Sequence, residues 1–324
     1  MTYRVGVIGA GDIAQKTYLP ILVDCKDCEI AAIYSRTHGA AVELAKKFGI
    51  SQTYADLDKF LQSDDFDTVF VCTPTSTHFQ IAQAALKNSK NVLIEKPLTT
   101  VFEHDISLLN LAELKSKNFC VAFNNYYREE NEWLRKKILH GELGEVQIIN
   151  VEWYRKLPFP SEGPHQGIKP SGVLMHLGAK LLSVALALLP DRSSFTVSCQ
   201  NLKRSSGITD DEDTSVSSIL INNKVTLNMR LGWDIALPVG SQTTMEVFGK
   251  NGRASNNDYS GPESDGHKNM INEFLEGCDN NQYMDLDLVR DTMTLLNALY
   301  QANRAKTVVS GRFLTHEEWR LTSE

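Results

Sequence analysis

The chain lacks several features that would have settled its role early. It has no excess of positive charge: 33 lysines and arginines face 40 aspartates and glutamates, for a net charge of −7. Nucleic acid and anionic membrane surfaces need a basic field, so neither is expected as a partner. No apolar run suits a bilayer either, because the longest, Val173 to Leu189, carries His176 and Lys180 and falls short of the roughly 20 residues of a helical span. The opening Met1-Thr2-Tyr3-Arg4 runs straight into an apolar strand, without the n-region, h-region and cleavage site of a secretion signal, so a cytoplasmic location is expected. The six cysteines, Cys25, Cys28, Cys72, Cys120, Cys199 and Cys278, are irregularly spaced and read as reduced, mostly buried thiols. Cys25-x-x-Cys28 has no second pair to complete a zinc site, and no metal is expected. Repeats, low-complexity tracts and long linkers are missing, as is a context for Ser-His-Asp or Cys-His catalysis. The acidic run Asp210-Asp211-Glu212-Asp213 has contiguous carboxylates without a calcium-loop pattern and reads as a solvated loop.

What is present is enough apolar residue, 42% of 324, for two cores. The first part alternates β-rich runs (Arg4–Ile8, Ile30–Tyr34, Thr68–Cys72, Val92–Ile94, Phe119–Phe123) with amphipathic stretches such as Ala40–Phe48 and Phe79–Lys87. That alternation predicts an α/β, doubly wound parallel sheet. The second part changes character. Val146–Tyr154 reads as a long strand, Val173–Leu189 as an apolar helix, and Ser215–Ile221 with Lys224–Leu231 as strands flanking an Asn222–Asn223 turn. A further hairpin is expected at Lys250-Asn251-Gly252, and helices at Lys268–Cys278 and Leu286–Arg304 close the chain. This predicts a dinucleotide-binding Rossmann domain over residues 1–124 and an α+β domain, built on an antiparallel sheet, over residues 125–324, whose last helices return toward the first.

Gly9-Ala10-Gly11-Asp12-Ile13-Ala14 follows the first strand and opens a helix, which is where G-x-G-x-x-A acts as a dinucleotide turn. Gly9 permits the tight turn, Gly11 lets a pyrophosphate approach the backbone, and Ala14 keeps the helix close to the sheet, with the helix N-terminus favouring the phosphates. At the end of the second strand an acidic residue would hold the ribose 2′-hydroxyl of NAD. Here Tyr34-Ser35-Arg36-Thr37 stands instead, so Ser35 and Arg36 can bind a 2′-phosphate and NADP is favoured over NAD.

That motif, Leu19-Pro20, Thr73-Pro74 with His78, and Glu95-Lys96-Pro97 occur in order, followed by Gly141-Glu142-Leu143-Gly144. In this the chain resembles the Gfo/Idh/MocA oxidoreductases, the glucose-fructose oxidoreductase and inositol dehydrogenase-like family. The resemblance implies a Rossmann domain followed by an open, mainly antiparallel sheet through which members form homodimers or homotetramers. It implies hydride transfer between a nicotinamide and a carbinol or carbonyl carbon of a sugar, inositol, sugar acid or related small molecule. It puts Thr73, Pro74, His78 and Glu95 at the cofactor and Lys96 near the reacting carbon, where an ammonium stabilises developing negative charge on oxygen.

The chain departs from that family on one helix. Members commonly carry an Asp and a His four residues apart facing the nicotinamide; here His176 replaces the acid and Lys180 the histidine. Residues at i and i+4 share a helix face, so the geometry survives while the chemistry changes. Lys96, Lys180 and His176 are therefore the expected catalytic residues, and a second lysine tilts the pocket toward an anionic substrate. Asn124, Tyr126, Arg128, Tyr154, Lys156 and His165 are weaker candidates for substrate contact, near the domain boundary or in the loop before the helix. A different reading of the altered pair is a catalytically silent dinucleotide-binding sensor or regulatory protein.

Overall fold

The computed structural model describes residues 2–156, 172–204, 211–233, 241–262, 264–280, 285–315 and 318. Six short strands open the chain: β1 (Tyr3–Ile8), β2 (Cys28–Tyr34), β3 (Gln52–Tyr54), β4 (Thr68–Val71), β5 (Asn91–Ile94) and β6 (Phe119–Val121). Between them lie α1 (Leu19–Asp24), α2 (His38–Phe48), α3 (Leu57–Leu61), α4 (His78–Lys87) and α5 (Phe102–Leu114). The strands pair in parallel in the order β3-β2-β1-β4-β5-β6. Every residue of β4 and β5 is buried, as strands covered on both faces must be. The five strands expected from the sequence are present, and β3, three half-buried residues with no alternation to reveal it, is the addition. The order reverses beside β1, so the loops after β1 and β4 flank the crevice where such sheets bind ligands.

The later elements are α6 (Glu129–Leu139), β7 (Val146–Arg155), α7 (Ala179–Ala187), β8 (Ser194–Leu202), β9 (Thr214–Ile221), β10 (Val225–Trp233), β11 (Ser241–Gly249), β12 (Gly252–Ser255), α8 (Gly266–Asn280), α9 (Leu286–Ala305) and β13 (Val309–Arg312). A seven-stranded sheet runs β12-β11-β7-β10-β9-β8-β13, antiparallel throughout except where β7 meets β10. The β9–β10 hairpin turns on Asn222 and Asn223, both at φ 53°, the left-handed geometry that a type I′ turn asks of asparagine, closed by the Lys224 N–H donating to the Ile221 carbonyl at 2.9 Å. Alternation sets its two faces: Ile149, Val151 and Trp153 of β7 and Leu227, Met229, Leu231 and Trp233 of β10 are buried.

Contacts divide the chain into two compact units, one containing Met1–Ala122 and Asp265–Leu286, the other Phe123–Ser264 and Asp287–Thr322. Of the two closing helices, α8 therefore belongs with the parallel sheet, where Phe274 meets the edge of Phe70 at 6.0 Å, and α9 with the second sheet.

The acidic run corrects the expectation of a solvated loop. Asp210 lies outside the described residues and Asp211 is exposed, but Glu212 and Asp213 are buried. Burial is tolerated because the carboxylates have donors: Asp213 accepts from the Arg204 N–H at 2.6 Å and the Thr214 hydroxyl at 3.0 Å. Glu212 accepts from the Leu174 N–H at 3.0 Å and the Tyr300 hydroxyl at 2.8 Å. Among the described residues no helix is long and apolar enough to cross a membrane, and no His, Cys, Asp and Glu cluster could hold a metal.

Candidate active site

In the first unit the loops after β1, β2, β4 and β5 leave one edge of the sheet, because the strands run in one direction. Gly9 has φ 111°, and a Cβ there would lie 2.7 Å from the Cys72 carbonyl oxygen, so the turn requires glycine. A Cβ on Gly11 would meet nothing within 4 Å. Asp12 and Ile13 then enter a π turn, Ala14–Tyr18, that no side chain caps; Ala14 is fully buried, and Asp12 pairs with Lys16 at 2.5 Å on the surface. An uncapped first turn beside open space over a glycine fits a dinucleotide pyrophosphate. After β2, Ser35 is half-buried and Arg36 exposed, and among the described residues Arg36 makes no ion pair or hydrogen bond.

After β4, the Thr77 hydroxyl donates to Thr73 Oγ1 at 2.9 Å and the Pro74 carbonyl at 2.8 Å, folding Thr73 and exposed Pro74 into a short helical turn. His78 is 1% exposed; its Nδ1 lies 2.9 Å from the Pro97 carbonyl and its Nε2 2.8 Å from the Thr73 carbonyl. Glu95 is likewise buried, accepting from the Tyr18 hydroxyl at 2.8 Å and from the Lys96 N–H at 3.0 Å. The polar atoms of both residues are thus turned to protein, where they tie together the loops after β4 and β5. Lys96, in the segment they anchor, is half-buried. A third anchor is Asp105 at the start of α5, 2% exposed and hydrogen-bonded to Thr99, whose carboxyl is pushed up to about 7 by burial. Cys28, at the other end of the sheet, is pushed up to about 12 by burial and stays a thiol.

In the second unit a π turn, Leu174–Gly178, runs into α7, and π turns recur at functional sites. His176 and Lys180 share a face of this helix. The His176 ring meets the edge of Trp233 at 5.3 Å, and Lys180 Nζ stands 5.8 Å from the centre of the Trp153 ring. The two tryptophans end the parallel pair β7 and β10, and Trp153 donates to Ser241 Oγ at 2.9 Å. An ammonium placed over an indole in this way gains about 0.5–1 kcal/mol. Trp153 and Trp233 were not singled out from the sequence; the alternation of β7 was the available signal.

The same alternation sets Tyr154 apart from the two tryptophans. Trp153 faces the helix of His176 and Lys180, so Tyr154, one residue on, lies on the opposite face with Glu152 and Arg230, which pair at 2.8 Å. Arg128 is engaged by Glu130 at 2.8 Å, and the Tyr126 hydroxyl accepts from Arg135, whose guanidinium also lies over its ring. Asn124 has a buried side-chain oxygen without a hydrogen-bond partner among the described residues. Lys156 is exposed after β7. His165 lies outside the described residues.

A parallel sheet of order 3-2-1-4-5-6 with a glycine turn at its reversal defines a dinucleotide-binding α/β protein. Residues 3–123 match the oxidoreductase family with NAD-binding Rossmann fold, and residues 132–255 match the GFO/IDH/MocA C-terminal domain. The chain belongs to the Gfo/Idh/MocA family. It is 26% identical over 188 residues to D-glucoside 3-dehydrogenase of Escherichia coli, covering 57% of this chain and 54% of that protein. It is 27% identical over 218 residues to glucose-6-phosphate 3-dehydrogenase of Bacillus subtilis, covering 66% and 61%. The chain thus spans little more than half the length of these curated relatives. The crystal structure of scyllo-inositol dehydrogenase from Lactobacillus casei with bound NAD(H) and scyllo-inositol superposes with a TM-score of 0.81 at 16% identity, over 96% of this chain and 99% of that one, a likeness of fold.

Proposed function

We propose that this protein is an NAD(P)-dependent oxidoreductase acting on a CH–OH or carbonyl group of a small hydroxylated molecule: a sugar, an inositol, a sugar acid or a relative of these. The observation that carries this reading is the Gly9 turn with open space at Gly11, on the same sheet whose strand β5 leads into Glu95-Lys96. In it, residues 1–124 bind the dinucleotide and residues 125–324 bind substrate and form the oligomer. When bound, the nicotinamide supplies the acceptor or donor of hydride at its C4. Lys96 orients and polarises the substrate oxygen. Lys180 donates a proton to that oxygen in the reductive direction, and His176 helps to take it in the oxidative one. The exposed Arg36, which has no ion pair or hydrogen bond among the described residues, supports NADP over NAD.

The ammonium of Lys180 on Trp153 supports an anionic substrate. The name of the Bacillus subtilis relative gives a phosphorylated sugar as a precedent. The exposed Ile148 and Val216, on the sheet face opposite Trp153, support a homodimer or homotetramer through that face. The test is absorbance at 340 nm with NADP or NAD over neutral sugars, inositols and their carboxylated or phosphorylated counterparts. Turnover with a higher kcat/KM for the anionic members, lost in Lys180→His, is the expected result. Tight cofactor binding with no turnover on any of them would instead favour the sensor reading, whose support is the altered His176 and Lys180 pair.

A further inference from the structure

We propose that Glu212 and Tyr300 are positioning residues for His176 and Lys180, acting through the first turn of the helix that carries them. A helix leaves its first N–H groups without intrahelical partners, and these are ordinarily met by a Ser, Thr, Asp or Asn at the cap. Here the residue before the helix is Gly172, which has no side chain to give. The N–H of Val173 donates to the Glu212 carbonyl at 2.9 Å, that of Leu174 to Glu212 Oε1 at 3.0 Å, and that of Met175 to the Tyr300 hydroxyl oxygen at 3.1 Å. Tyr300 in turn donates its proton to Glu212 Oε1 at 2.8 Å. Three successive N–H groups are thus held by two side chains and one carbonyl, and each oxygen has its partners fixed.

The fit is close. A Cβ on Gly172 would lie 2.2 Å from the Glu212 carboxyl, so the glycine is what lets the carboxyl reach the turn. Burial raises both groups, which keeps the Tyr300 proton on its oxygen for the bond to Glu212. Bonds to two adjacent N–H groups, from residues 38 and 125 positions away, fix the rotation of the helix about its own axis as well as its height. His176 is the next residue after the second of these bonds, and Lys180 follows one turn later on the same face. A rotation of the turn would carry the His176 ring off Trp233 and Lys180 off Trp153.

The functional part of this inference rests on the proposed roles of His176 and Lys180, and the test separates the two. Tyr300→Phe and Glu212→Ala are expected to lower kcat at least tenfold while the dinucleotide Kd stays within twofold. Glu212→Gln keeps an acceptor oxygen for Leu174 and Tyr300, so it should restore kcat to within about threefold of the parent. Independently of turnover, the ring resonances of His176, assigned by their loss in His176→Asn, should shift in Tyr300→Phe and Glu212→Ala and keep their parent positions in Glu212→Gln. If Tyr300→Phe and Glu212→Ala merely lower the melting temperature, with kcat within twofold and the His176 resonances unmoved, the pair is only a structural cap and the proposal is overturned. Should the protein turn over no substrate, or Lys180→Ala leave kcat unchanged, the catalytic reading falls while the His176 resonances still decide for or against positioning: movement supports it and invariance defeats it.

Discussion

Two segments each carry a lysine offered for catalysis, and they are held in unlike ways. The Lys96 segment is anchored by Glu95, one residue away, by His78 in the helix after the preceding strand, and by Asp105 in the next helix. These anchors belong to neighbouring stations of one repeating strand–helix pattern. The Lys180 helix is anchored by Glu212, in the segment before β9, and by Tyr300 of α9, both far along the chain. The difference carries over to their first turns. The turn after Gly11 has no side-chain cap and open space above it, whereas the turn after Gly172 has its N–H groups filled by protein. On the proposed reading the first N-terminus receives an anion and the second is held in place.

The largest effect expected from this comparison is at Lys96. Lys96→Ala should lower kcat by about 10²–10³-fold, the usual cost of removing a preorganised electrophilic donor. Melting temperature and cofactor Kd should stay close to the parent, because the bond from residue 96 to Glu95 is made by its backbone N–H, which alanine keeps. Survival of activity within tenfold, roughly 1.4 kcal/mol of barrier, would assign the polarising role elsewhere.

Next in size is Asp105, which tests whether the Lys96 segment is held by a neutral acid. Its carboxyl titrates near 7 in the folded chain against an ordinary value of 3.8. The folded state therefore keeps a proton that the unfolded state loses. Below about pH 4 both states are protonated and nothing is lost; as pH rises toward 7 stability falls, and above 7 the loss is complete, on the order of 2–4 kcal/mol. Asp105→Asn should flatten that part of the profile and raise stability at pH 8 relative to the parent. Denaturant unfolding at pH 5 and pH 8 measures it, and an unchanged pH slope in the variant would show that Asp105 does not titrate as described.

A smaller effect separates the two glycines of the dinucleotide turn. Gly11→Ala adds a methyl group to open space, so it should leave the melting temperature within a few degrees and weaken cofactor binding about tenfold, roughly 1.4 kcal/mol. Gly9→Ala meets the Cys72 carbonyl and a left-handed φ, and should cost stability itself. Calorimetry and fluorescence titration on both variants check the pair; equal stability losses would erase the distinction between a ligand glycine and a fold glycine.

The same contrast explains what could be read from the sequence. The parallel sheet was legible because strand, glycine turn and helix recur within short windows, and the dinucleotide loop because its residues are contiguous. His176 and Lys180 were legible as a pair, since i and i+4 need only a helix. Their surroundings were not. Trp153 and Tyr154 are adjacent, and which of them faces the helix depends on strand parity, fixed only once β7 is registered against β10 and β11. Glu212 looked like part of a solvated acidic run because nothing local reveals that Gly172 leaves a space of its shape.

The smallest effect concerns the cofactor's second phosphate. Arg36 ends in solvent after β2 with no protein partner among the described residues, and no carboxylate stands in the Tyr34-Ser35-Arg36-Thr37 stretch to repel a phosphate. A charge-assisted bond at such an exposed position is worth about 1 kcal/mol. NADPH should therefore bind several-fold more tightly than NADH, and Arg36→Ala should remove that margin by weakening NADPH alone, with the margin narrowing as salt screens the pair. Fluorescence titration of both cofactors at low and high ionic strength reads it directly. Equal affinities in the parent, or an Arg36→Ala variant that weakens both cofactors alike, would mean that Arg36 stacks on the adenine common to the two and reads no phosphate.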